Sequence, residues 1–231
     1  MFSKKIGRET SSKSLSMDLD EYYSKAYSNI ASSGSFGVVS KWQHKQMETY
    51  PASLKLSGQR VLEVGAGEGQ HIHFVDKDSW SEYVQTDLRP PLDLTSSSGS
   101  WLPDSIEASD LPFPDDSFDR LVSTCVLAHT DDPQSTLAEW RRVVRKNGVI
   151  TIYLPSESSL SLSFLRHFGP KQARMSAGFD PRIIFLDHRY NYRYLKTSIE
   201  LEFRDCTIRT GKFPRLLPWW LGLWEIVQIK I

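Results

Sequence analysis

Short apolar runs alternate with amphipathic stretches along most of this chain. Val61, Leu62 and Val64 form a run of strand length inside Arg60–Gly69 (RVLEVGAGEG), which closes on three glycines. His71–Lys77 (HIHFVDK) follows and predicts a helix. Glu82–Asp87 (EYVQTD) reads as the second strand, Phe118–Ser123 (FDRLVS) as a buried fourth and Val149–Leu154 (VITIYL) as a β-branched fifth. Between the last two, Thr136–Arg145 has helical spacing with Leu137, Trp140, Val143 and Val144 on one face, and Asn147-Gly148 predicts its C-cap. A further helix is expected over Tyr190–Phe203, with Tyr194, Leu195, Ile199 and Leu201 toward the core. Cys206–Phe213 and Trp224–Ile231 then read as two closing strands.

The stretches outside this alternation have their own character. Residues 1–17 are rich in Ser and Lys and predict a frayed tail. Asp18–Ile30 carries Tyr22, Tyr23 and Tyr27 on overlapping helix faces, and a second helix is expected near Val38–Tyr50. Residues 89–104 are loop by their Pro, Ser and Gly content. Residues 155–188 form a connection long enough to read as a functional cap, helical near Leu160–Phe168. Its Arg166, His167, Lys171, Arg174 and Arg182 suit an anionic or sugar-containing ligand, or serve only to solvate the insertion. With 231 residues, one domain over 18–231 is expected, with N-terminal helices over 18–50.

A strand, a glycine turn and a helix, in that order, place a ligand at the carboxyl end of the strand. The dinucleotide fingerprint G-x-G-x-x-G fails here, because Gln70 stands where its third glycine belongs. What stands instead is Glu63-x-Gly65-x-Gly67-x-Gly69. A carboxylate at Glu63 suits a ligand with a cationic amine and repels a pyrophosphate. Asp87 follows Gly67 at the distance of about 20 residues that lets a carboxylate meet a ribose diol.

This pattern resembles the first motif of class I S-adenosylmethionine-dependent methyltransferases. The string Glu107-Ala108-Ser-Asp110-Leu-Pro-Phe-Pro-Asp-Asp-Ser-Phe-Asp119 resembles a second motif, and the helix–Lys-Asn-Gly–strand passage a third. The resemblance covers about residues 60–155. It implies a Rossmann-like, seven-stranded, mostly parallel sheet with helices on both faces and an antiparallel C-terminal hairpin, binding S-adenosyl-L-methionine. By the same resemblance Glu63, Gly65, Ala66, Gly67 and Gly69 hold the methionine end, Asp87 and Leu88 the ribose side, and Glu107 with Ala108 the adenine. Val126 and, from the N-terminal helix, Tyr22 complete that set. Glu107 departs from the commoner Asp, and Asp110 competes for its role.

Thr124–Pro133 (TCVLAHTDDP) leaves the fourth strand beside this site. His129 is therefore a candidate base for removing a hydroxyl proton as a methyl group arrives, or a residue that orders the loop. His188, just before the last helix, is a second candidate. The expected acceptor is an oxygen on a small molecule or saccharide. A nitrogen, carbon or protein acceptor, or a catalytically silent partner subunit, are the alternatives. Lys plus Arg equals Asp plus Glu at 28 each, so no overall field draws the chain to nucleic acid. The spacing of Cys125 and Cys206 suggests neither a disulfide framework nor a metal site. Without a signal pattern or a spanning apolar run, the expected location is cytoplasmic. Pro218–Trp224 (PWWLGLW) predicts hairpin packing first, and a homodimer or membrane-contact face second.

Overall fold

The computed structural model describes residues 34–49, 51, 54, 57–91, 99–156, 175, 178, 180, 188–214, 216 and 221–231. The tail over 1–17, the helix carrying Tyr22, nearly all of the expected cap and Trp219 and Trp220 lie outside the described residues. Helix α1 (Gly34–Met47) leads into strand β1 (Gln59–Val64), β2 (Trp80–Thr86), β3 (Ser100–Trp101) and β4 (Phe118–Thr124). Helix α2 (Pro133–Val143), β5 (Val144–Pro155), α3 (Tyr192–Glu202), β6 (Thr207–Phe213) and β7 (Trp224–Lys230) complete the order.

The seven strands form one sheet in the order β3-β2-β1-β4-β5-β7-β6. The first five run parallel, while β7 lies antiparallel between β5 and β6. Because the order reverses between β1 and β4, the carboxyl ends of those two strands form the crevice where a ligand of an open α/β sheet sits.

Alternation along the strands divides the interior into two layers. Leu62 and Val64 of β1 join Leu121, Ile150, Trp140 of α2 and Leu195 and Phe203 of the α3 region on one face. Val61 joins Tyr83, Val122, Met47, Ile72 and Trp224 on the other, under α1. Helix α2 starts cleanly because Asp132 accepts from the Gln134 N–H and Pro133 follows with its φ already helical. Asn191 caps α3 in the same way, accepting from the Tyr194 N–H. The end of α1 is tethered to the sheet where Gln228 Nε2 donates to the Met47 carbonyl at 3.1 Å. Among the described residues, no helix is long and apolar enough to cross a membrane.

Three local expectations need correction. His71–Lys77 is not an α-helix but two 3-10 turns, His71–Phe74 and Lys77–Ser79. The chain has little length to return to β2, and burial of His71 and Ile72 fixes the first turn where it starts. Helix α2 ends at Val143 rather than at Asn147, and β-branched Val144 already opens β5. Asn147, with φ of 66°, instead bends β5 against the chain end, its N–H donating to the Ile231 carbonyl at 2.9 Å. In α3 the buried stripe is Tyr192, Leu195, Ser198 and Ile199, which leaves Tyr194 and Leu201 exposed at 41% and 59%.

Candidate active site

The turn after β1 is shaped by its backbone. Gly65 and Ala66 N–H groups both donate to the Thr86 carbonyl, at 2.8 and 3.0 Å, and Gly69 N–H closes the turn on Ala66 O at 2.8 Å. Gly65, Gly67 and Gly69 all hold left-handed φ values of 71°, 56° and 69°. At Gly65 the freedom is also steric, since an added Cβ would lie 2.0 Å from Val126 Cγ2. At Gly67 the reverse holds: an added Cβ would meet no atom of the described residues within 4 Å.

Asp87 stands beside Gly67. Its Oδ2 accepts from Gly67 N–H and its Oδ1 from Arg89 N–H, both at 2.8 Å. A carboxylate offers about four lone-pair directions, so two remain for a ligand. Leu88 follows with 42% exposure, an apolar surface next to the acid. The 105–108 segment is brought alongside by Ile106 N–H donating to Asp87 O and Ser105 Oγ donating to Leu88 O. Within it Ala108 is buried, its carbonyl accepting from Trp140 Nε1 at 3.0 Å, while Glu107 and Asp110 are exposed.

Beneath the turn lies a buried polar network. Glu63, 2% exposed, accepts from Tyr83 OH at 3.1 Å and Gln85 Nε2 at 3.0 Å. Burial pushes its carboxyl above the usual range, with His71 and those hydrogen bonds pulling it back. Glu48, just past α1, takes Arg120 of β4 in a two-armed pair, at 2.9 and 2.5 Å, and His71 Nε2 at 2.9 Å. Burial pushes the Glu48 carboxyl up, but Arg120 and His71 together hold it down at about 2. The Nδ1 atoms of His71 and His44 are 3.0 Å apart. One ring donates and the other accepts across that contact, while His71 Nε2 faces the Glu48 carboxylate. Burial, seconded by His71, lowers His44 to about 3. Apart from Glu63, this network escaped sequence reasoning because its members come from separate segments. Arg120, charged inside an apolar strand, was the one signal.

The other wall is the loop after β4. Cys125 turns it with a left-handed φ of 63°, and Val126 packs against Gly65. His129 N–H closes the loop on Val126 O at 2.8 Å. The segment leading into α3 is laced to it by Arg189 N–H on Ala128 O, Tyr190 OH on Asp131 O and an Arg189–Asp131 ion pair. That lacing brings His188 edge-on to His129, with ring centroids 4.4 Å apart. Asp87 thus bonds the glycine turn at Gly67, Ile106 ties the segment bearing Glu107 and Ala108 to Asp87, Val126 meets Gly65, and His188 meets His129 farther along the loop after β4.

Residues 62–152 match the family of methyltransferase domains. Over that span the chain is similar to the methyltransferase domains of the class I S-adenosylmethionine-dependent enzymes. It is 30% identical over 118 residues to 2-methyl-6-phytyl-1,4-hydroquinone methyltransferase 1 of rice, an alignment covering 49% of this chain and 36% of that protein. Against a phosphatidylethanolamine N-methyltransferase of Cereibacter sphaeroides, identity is 29% over 124 residues, covering 51% of this chain and 60% of the other. The matched region therefore spans roughly a third to three-fifths of these curated relatives. In fold, it superimposes on an S-adenosylmethionine-dependent methyltransferase of Thermotoga maritima with a TM-score of 0.52 and 18% identity, over 80% of this chain and 88% of that one.

S-adenosylmethionine is the cofactor of this domain class, and the crevice fits it. Uncrowded by the described residues, Gly67 leaves room for backbone contact, and Asp87 has acceptor capacity left for a diol. Leu88 offers an apolar surface for a base, and the carboxylate of Glu63 lies one layer below the turn.

Proposed function

We propose that this chain transfers a methyl group from S-adenosylmethionine to a hydroxyl oxygen of a small-molecule acceptor, saccharides included. The pairing of His129 with His188 carries the choice of oxygen. When bound, the cofactor supplies a methyl group already activated on a sulfonium. The turn from Gly65 to Gly69 is shaped before any ligand arrives, because its N–H groups are committed to Thr86, Ala66 and Asp87. Asp87 orients the ribose through its two remaining lone-pair directions, while Ala108 and Glu107 border the adenine. Glu63, fixed by Tyr83 and Gln85, places a carboxylate beneath the turn that draws a cationic amine. On the acceptor side, one imidazole takes the hydroxyl proton as the carbon–oxygen bond forms, and the second ring holds its orientation.

Titration calorimetry of S-adenosylmethionine and S-adenosylhomocysteine into the wild type and Asp87→Ala tests the cofactor half. Binding is expected, and the variant should lose roughly 10- to 100-fold, the worth of about 1–3 kcal/mol for a charged hydrogen-bond partner. No binding of either ligand to the wild type would overturn the reading. The acceptor half is tested by the pH–rate profile of turnover on phenols and sugars. A rise through neutrality that is lost in His129→Asn or His188→Asn supports an oxygen acceptor. A flat profile favours the second reading, transfer to nitrogen, which the name of the Cereibacter relative suggests.

A further inference from the structure

Cys125 Sγ and one ring nitrogen each of His129 and His188 all lie within 4.8 Å of one another, and all three residues are half-buried. We propose that these side chains form a binding site for a divalent transition-metal ion of borderline softness, with Zn²⁺ as the chemical type.

The donor set argues for that class of ion. A thiolate and two imidazoles suit zinc or cobalt, whereas magnesium and calcium require carboxylate and carbonyl oxygens, which this cluster lacks. The spacing is close to what such an ion needs. Ligand atoms about 2.0–2.3 Å from a tetrahedral metal stand about 3.3–3.8 Å apart, so closure asks each side chain to move inward by about 1 Å or less. Half-buried side chains on loops can make that adjustment by small χ rotations. The backbones that carry them are held in place. Arg189 N–H on Ala128 O, at 3.0 Å, and Tyr190 OH on Asp131 O, at 2.6 Å, lock the His188 segment to the loop that bears Cys125 and His129.

The backbone at Cys125 is unusual as well. A non-glycine residue at φ of 63° carries strain that persists only where its surroundings impose it, and such residues gather at ligand sites. Here the strained residue ends the central strand β4 and supplies the thiol. Binding would release the thiol proton to solvent, as it does wherever a cysteine ligates zinc. Three protein ligands leave at least one coordination position for an outside oxygen, the arrangement of catalytic rather than closed structural zinc sites. If an acceptor hydroxyl took that position, the metal would ease loss of its proton to solvent, and the two imidazoles would act as ligands in place of the base role given above. That last consequence rests on the methyl-transfer reading above, whereas metal binding itself does not. No sequence spacing announces the site, because His188 comes from a distant part of the chain.

The test is titration of Co²⁺ into the chelator-stripped wild-type protein, followed by absorption spectroscopy, with S-adenosylmethionine binding measured in parallel. The expected result is one equivalent bound, with intense tetrahedral d–d bands and a thiolate-to-cobalt charge-transfer band. Cys125→Ser should abolish the charge-transfer band and Cys206→Ser should keep it. His129→Ala and His188→Ala should each weaken binding at least about tenfold. Absence of a thiolate band in the wild type would overturn the proposal, as would a band unchanged in Cys125→Ser or lost in Cys206→Ser. Loss of cobalt binding with intact cofactor binding refutes the metal site alone. Loss of cofactor binding with an intact cobalt spectrum refutes the methyl-transfer reading alone.

Discussion

Two loops leave the carboxyl ends of the adjacent strands β1 and β4, and the left-handed Gly65 of one meets Val126 of the other. The first turns on glycines and rests on buried charges: Glu63 lies below it, and the His44–His71–Glu48–Arg120 network ties it to α1. The second turns on Cys125, which is not a glycine, and is held from the side by bonds to the segment before α3. One loop therefore rests on buried ionisable groups, whereas the other is held by packing, hydrogen bonds and an exposed Arg189–Asp131 ion pair. That difference says where acid, charge removal and added volume should do damage.

Charge removal should have the largest effect. Arg120 is 1% exposed, and Arg120→Met leaves the part-buried Glu48 with His71 as its remaining partner. Breaking a buried pair by removing one partner costs about 3–5 kcal/mol. The expected drop in Tm is on the order of 10 °C, with weaker S-adenosylmethionine binding because the first loop loses its support. Adding Glu48→Gln should recover part of the loss, since the uncompensated charge goes with it. A single-variant cost below about 1 kcal/mol would mean that the network contributes little.

Acid should act on the same loop. His44 is held at about 3 in the folded protein against 6.5 unfolded, so the unfolded chain takes up a proton between those values and the folded chain does not. Stability then falls as pH drops from 6.5 toward 3, by roughly 1.4 kcal/mol per pH unit for one proton. Glu48, held at about 2 against 4.5, contributes stability above 4.5 that is lost as pH falls toward 2, so the two effects have the same sign. Glu63 opposes them, because its raised value makes its contribution fade as pH rises. Denaturant unfolding of the wild type and His44→Phe across this range is the check. A shallower acid slope in the variant is expected, and equal slopes would remove His44 from the account.

The sheet, apart from the two-residue edge strand β3 that falls inside the expected 89–104 loop, and the glycine turn were legible because their physics is local. Apolar runs mark the buried strands, glycines announce left-handed φ, and Asp87 sits at a readable distance from Gly67. The second loop was opaque for the complementary reason. Nothing in Thr124-Cys125-Val126 announces a left-handed cysteine, since that conformation is imposed by Val126 meeting Gly65 and by contacts with a segment far along the chain. Chain closeness also misled in places. Asn147-Gly148 has the form of a helix cap, yet the β-branched Val143-Val144 pair turns the chain into β5 first, and the Asn-Gly bend serves the contact with Ile231 instead.

Added volume probes the point where the loops meet. Gly65→Ala puts a methyl group 2.0 Å from Val126 Cγ2 and forces alanine into left-handed backbone. The backbone part alone costs about 1 kcal/mol, and overpacking typically adds about 1–3 kcal/mol. Removing the opposing methyls in Gly65→Ala/Val126→Ala should return most of the overpacking part and leave the backbone part, with Val126 Cβ still a tight 3.3 Å from the new methyl carbon. Strict additivity of the two single variants would show that the loops do not press on each other.

The smallest effect should have the opposite sign. At Cys125 the left-handed φ costs a non-glycine residue about 1–2 kcal/mol, while a glycine there costs about 0.5–1 kcal/mol in unfolded-chain entropy. The strain exceeds the entropy, so Cys125→Gly should be more stable than Cys125→Ala by about 0.5–1 kcal/mol. Both variants lose the thiol, so the comparison isolates the backbone, and for a chain of this size it appears as roughly 2 °C in Tm. If alanine proves equal to glycine at 125, the left-handed turn is not strained there, and the contrast between a loop spelled by glycine and one imposed by contacts would fall.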